Sequence, residues 1–98
     1  MANQDEEVRR QLLSHGDDGK AARHTLFFFY DGDIKGLEKA ALSNGFAVKR
    51  TSESTGLIIE KTLPVDELSF APVSAKMEKW AEEFGCEYDG WECELLSH

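Results

Sequence analysis

A chain of 98 residues has room for one domain with one core and not for two. With 41% apolar and 31% charged residues it reads as an ordinary folded protein, and its longest unbroken apolar run, Leu26 to Tyr30, is far short of the roughly 20 residues that span a bilayer. The net charge of −8 is lopsided: residues 1–50 hold eight basic and eight acidic side chains, whereas residues 51–98 hold three against eleven. That half repels a phosphate backbone and lacks the basic stripe that direct nucleic-acid binding requires, while it suits solubility or a basic protein partner. Met1 to Arg10 shows no basic region followed by an apolar one, so no secretory signal is visible and the cytoplasm is the expected location.

Asp5 to Ser14 reads as a short amphipathic helix with acids in its first turn and Val8 and Leu12 on one side. His15 to Ala22 carries turn chemistry in Gly16, Asp17, Asp18 and Gly19 and is predicted to link this helix to the main body. His24 to Tyr30 is a first strand, apolar on both faces as a central strand would be. Asp33 is placed to N-cap a helix whose stripe is Ile34, Leu37, Ala40 and Ala41, and Gly45 to end it in the left-handed conformation. Phe46 to Thr51 is a second strand with Phe46 and Val48 inward. Ser52 to Gly56 is a hairpin turn with Gly56 at positive φ, and Leu57 to Leu63 is the third strand. Val65 to Ala71 reads as a loop that tucks Leu68 and Phe70 onto the body. Pro72 then opens a helix carrying Val73, Met77, Trp80, Ala81 and Phe84 at helical spacing, and Gly85 closes it. The last strand is Cys86 to Leu96. Its alternation slips at Asp89-Gly90, with Tyr88 inward on one count and Trp91, Cys93 and Leu95 on the other, which marks a β-bulge.

The order after the leading helix is β-α-β-β-α-β. It predicts an α+β fold of the ferredoxin-like kind: a four-stranded antiparallel sheet with two helices on one face, plus the extra N-terminal helix. Residues 1–22 would be helix and linker, and 23–98 the ferredoxin-like domain. The sheet's other face must present either Phe27 and Phe29 or Leu26, Phe28 and Tyr30, and such a patch calls for a cover: the leading helix, a second copy or a partner.

No catalytic constellation can be placed from spacing, and there is no GxGxxG, P-loop or HExxH. Asp31-Gly32-Asp33 fails as a calcium loop because the required downstream Glu would fall on Leu42. Cys86 and Cys93 lie seven residues apart on one strand, about 20 Å in extended chain and beyond disulfide reach. No CxxC occurs, and His15, His24 and His98 have no metal-ligand spacing, so neither cofactor nor metal is expected. RNA-recognition modules share this topology but stack bases on third-strand aromatics, where this chain has Leu57, Ile58 and Ile59.

The strongest local signal is Glu87-Tyr88-Asp89-Gly90-Trp91-Glu92. Tyr and Trp bury large areas while keeping a polar handle and anchor many interfaces; the competing reading is that both simply fill the core beside a bulge. Leu37-Glu38-Lys39-Ala40-Ala41 followed by Gly45-Phe46-Ala47-Val48, together with Glu82-Glu83-Phe84-Gly85-Cys86-Glu87-Tyr88-Asp89-Gly90-Trp91-Glu92, resembles the regulator of ribonuclease E activity B (RraB) family over about residues 24 to 96. The resemblance implies a ferredoxin-like domain that binds ribonuclease E and dampens its cleavage of RNA, with no catalysis of its own. It also implies a long acidic C-terminal tail, which the sequence ending at His98 does not show; weaker inhibition, or inhibition aimed at another protein, is the corresponding expectation.

The leading expectation is therefore a non-enzymatic, protein-binding regulator whose acidic half steers it to ribonuclease E or a similar basic protein, with Tyr88, Asp89, Trp91 and Glu92 as contact residues. One rival reading is a small-molecule sensor of the ACT type; another is a structural module that dimerises through its aromatic sheet face.

Overall fold

The computed structural model describes residues 3–14, 16, 18–51 and 56–94. Helix α1 spans Asn3–Ser14, strand β1 Arg23–Tyr30, helix α2 Ile34–Ser43, strand β2 Ala47–Arg50, strand β3 Gly56–Leu63, helix α3 Glu67–Phe84 and strand β4 Glu87–Cys93. The elements follow the order the periodicities predict, and their ends have local causes. The Asp33 carboxylate accepts the Gly36 N–H at 3.0 Å and caps α2. Gly45 and Gly85, at φ +84° and +65°, take up the left-handed backbone that ends α2 and α3.

Helix α3 starts five residues before the predicted Pro72. Asp66 is its N-cap and accepts the Ser69 N–H at 3.3 Å, so the segment expected as a loop forms the first turns. Pro72 sits inside the helix, where it lacks the N–H that would reach back to the Leu68 carbonyl. That break falls on the outer side: Leu68, expected to be tucked in, is 87% exposed, whereas Phe70 is fully buried. Gly56 is a second correction. It is a regular β3 residue paired with Tyr30 and does not have positive φ. It is small because a Cβ there would stand 2.7 Å from the Thr51 side chain and 2.8 Å from the Tyr30 ring. The expected turn around Ser52 and the inward position of Leu95 fall outside the described residues.

The sheet is four-stranded and antiparallel in the order β2-β3-β1-β4, with β1 and β3 central. Alternation divides its side chains into two faces. Phe27 and Phe29 of β1 pair with Ile59 and Leu57 of β3, and all four are fully buried. On the same side lie Leu37 and Ala41 of α2 and Phe70, Met77 and Trp80 of α3, forming one core. Aromatic contacts bind the layers: Phe27 stacks on Phe70 at 5.8 Å between ring centroids, Phe46 meets Trp80 edge-on at 5.8 Å, and Phe70 lies 4.3 Å from Trp91. Val8 and Leu12 of α1 join that same core, so the leading helix does not cover the other face.

The bulge is where the alternation slips. Trp91 pairs with Phe27 and Tyr88 with Phe29, leaving Asp89 and Gly90 together opposite Phe28. Gly90, at φ +102°, supplies a backbone conformation that a side chain would resist.

Candidate partner-binding face of the sheet

The four residues singled out in β4 divide by face. Tyr88 stacks on Phe29 at 4.9 Å, and Trp91 is 3% exposed against Phe70, so both rings turn toward the helices. Asp89 and Glu92 are exposed, opposite Phe28 and Leu26 respectively, on the side away from the helices. The sequence segment is thus one strand with an aromatic side in the core and an acidic side in solvent.

The residues that share the acidic side are supplied by pairing register. Leu26, Phe28 and Tyr30 form a column on β1, each only partly buried, and Ile58 of β3 stands beside Phe28. These four lie outside the core cluster that takes up the apolar sides of α1, α2 and α3, and among the described residues no helix turns its apolar side toward them. Next to the apolar column runs β4. Glu87 pairs with Tyr30, Asp89 lies at the bulge, Glu92 pairs with Leu26, and Glu94 exchanges hydrogen bonds with His24. Glu60 of β3 completes the set and meets the His24 imidazole at 2.7 Å.

The basic side chains mostly go elsewhere. Arg50 binds Glu38 of α2 at 2.8 Å, Lys61 lies 4.7 Å over the Phe46 ring, and Lys76 lies 5.6 Å over Trp80, all on the helix side of the sheet. Lys49, opposite Ile58, is the lysine that register places on the open face. The result is a graded surface with an apolar column in the middle, acids along β4 and one cation near the β2 edge. Such a surface attracts cations and desolvates apolar groups, and its described acids outnumber the one lysine that could hold an anion.

Sequence reasoning left the choice of β1 faces open, named Glu87 within the β4 segment but not among the contacts, and did not single out Glu60 or Glu94. The deciding signal was present: Glu87, Glu92 and Glu94 alternate against Tyr88, Trp91 and Cys93, so the side opposite Trp91 is polar.

Two cysteines remain, Cys86 and Cys93, and neither is in a disulfide. Burial, followed by the charges of Asp33 and Asp31, pushes the Cys86 thiol above its ordinary pKa, which makes it a poor nucleophile. Among the described residues no group of three His, Cys, Asp or Glu could hold a metal ion, and no helix is long and apolar enough to cross a membrane.

The structure is a small α+β domain with one antiparallel sheet whose acid-edged face is left open among the described residues. The family model described as regulator of ribonuclease activity B (RraB) matches residues 2–93. The chain belongs to that family. No curated protein matches it.

Proposed function

We propose that this protein is a non-catalytic regulator in the cytoplasm that binds ribonuclease E, or a ribonuclease like it, and lowers its cleavage of RNA. Membership of the ribonuclease-regulator family carries this reading. The strand order β2-β3-β1-β4, with helices in both crossovers, supports assignment to the ferredoxin-like folds. The open sheet face supports action through a protein contact, since its acids disfavour competition with the enzyme for RNA phosphates. Asp89 and Glu92 are the direct contacts in this reading; Tyr88 and Trp91 hold β4 in place from the core side.

The test uses purified full-length chain, purified ribonuclease E and a fluorogenic RNA. The expected result is a complex by size-exclusion chromatography and a saturable fall in cleavage rate. Unchanged cleavage with no complex, at low and moderate salt alike, would remove the proposal.

A further inference from the structure

We infer that the open sheet face receives one extended cationic segment of the protein partner, with its aliphatic or aromatic side chains on Leu26, Phe28, Tyr30 and Ile58 and its basic side chains along β4. This deepens the regulator reading and rests on it. Three features of the face select that occupant.

First, the apolar column is central and continuous: residues two apart on β1 project from the same side about 6.8 Å apart, which matches every second side chain of an extended peptide. Second, on β4 the positions on this side carry Glu87, Asp89 and Glu92, with Glu94 one residue past its end, one strand spacing of about 4.8 Å from the apolar column. A segment in which basic and apolar residues are interleaved sets its apolar side chains on the column, while the intervening long basic side chains, which leave from the opposite side of an extended backbone, bend back over one strand spacing to the acids. Third, charge argues against the other occupants. A second copy would bring Glu60, Glu87, Asp89, Glu92 and Glu94 against the same five acids, with Lys49 as the lysine available to offset them. RNA would bring phosphates to the same acids.

Addition of the segment to the β4 edge is disfavoured by the bulge at Asp89-Gly90, which interrupts the outward row of backbone donors and acceptors. The contact is therefore made by side chains across the face.

The experiment is amide chemical-shift mapping on the ¹⁵N-labelled full chain with two synthetic peptides of equal length and charge. In one, Arg alternates with Tyr and Leu; in the other, Arg alternates with Ser. The expected result is perturbation of β1, β3 and β4 by the first peptide and at least about tenfold weaker binding of the second, as loss of the apolar anchors would produce. Phe28→Ser and Glu92→Lys are each expected to weaken the first peptide about tenfold with the far-ultraviolet spectrum unchanged. Shifts confined to α2 and α3, equal binding of both peptides, or light scattering that shows a dimer dissociated by Phe28→Ser would overturn the assignment. The same two variants are then tested against ribonuclease E. If they bind it as the parent does, the face is wrong and the regulator reading stands. If the parent fails to bind the enzyme but the peptide maps to the face, the face stands and the regulator reading falls.

Discussion

Phe27 and Phe28 are adjacent in sequence, yet one is fully buried between Ile59 and Phe70 and the other faces outward beside Ile58. Deleting the first ring leaves a void inside the core, and Phe27→Ala is expected to cost about 3–5 kcal/mol in urea unfolding. Phe28→Ala removes a ring that already touches water and is expected to cost about 1 kcal/mol. A comparable loss at both positions would contradict the two-sided environment of β1. Gly32 is constrained differently. Its φ is +72° and a Cβ there would collide with the Gly85 carbonyl oxygen, at the point where the Asp33 N–H donates to the Phe84 carbonyl at 2.9 Å. Gly32→Ala is therefore expected to destabilise by about 1–3 kcal/mol, measured the same way. Cys86 adds a pH dependence. Its thiol titrates above the ordinary value in the folded state, so it favours folding below that value. That contribution fades as pH rises through the folded pKa, and Cys86→Ala should flatten the alkaline limb of thermal stability.

Helix α3 shows how far an element could be read from sequence and where reading stopped. Met77, Trp80 and Phe84 announced the helix through their spacing, and Gly85 announced its end. Its start was obscured because Pro72 is favourable in a first turn, while Asp66-Glu67-Leu68-Ser69 offers a capping aspartate that competes for the same role. The capping aspartate wins because burying Phe70 beneath Phe27 and Trp91 requires the chain to be helical already at that point. Hydrogen bonding from Ser69 holds the Asp66 carboxyl below its usual pKa. A depressed acid stabilises the fold above its unfolded pKa and loses that effect as pH falls through the folded one. Asp66→Ala should accordingly lower the melting temperature at neutral pH, and the gap to the parent should close in strong acid; a gap that persists there would mean that the cap acts by some other route. The sequence of helices and strands along the chain was legible for similar reasons, since periodicity and capping or glycine signals marked most of the elements. The role of Gly56 was not, because a glycine that makes room for Tyr30 and one that adopts positive φ look alike in a sequence.

At the scale of the whole molecule, the −8 charge is arranged rather than merely present. Arg50, Lys61 and Lys76 are held on the helix side by Glu38, Phe46 and Trp80, and the acids of β4 stand on the other. Attraction between exposed charges fades beyond about 8 Å at physiological ionic strength. Formation of the complex proposed with ribonuclease E should therefore slow several-fold between low and moderate salt, chiefly in the association rate measured by stopped flow. The charge imbalance of the two sequence halves was visible from composition; Asp66, Glu67, Glu78, Glu82 and Glu83 fall on α3 and its cap, and the placing of Glu60, Glu87, Asp89, Glu92 and Glu94 beside the apolar column required the register that pairs Glu92 with Leu26. That register depends on one extra residue in β4. Because sheet side chains alternate strictly, the doublet opposite Phe28 works as a change of parity: it allows Tyr88 and Trp91, three positions apart, to share the core side. A chain shortened by Asp89 would leave Tyr88 and Trp91 two positions apart, so plain alternation would keep both, with Cys93, on the core side and Glu92 on the open side. A single-residue deletion at this exposed site should thus be tolerated far better than one within β1, where every side chain beyond the gap would change face.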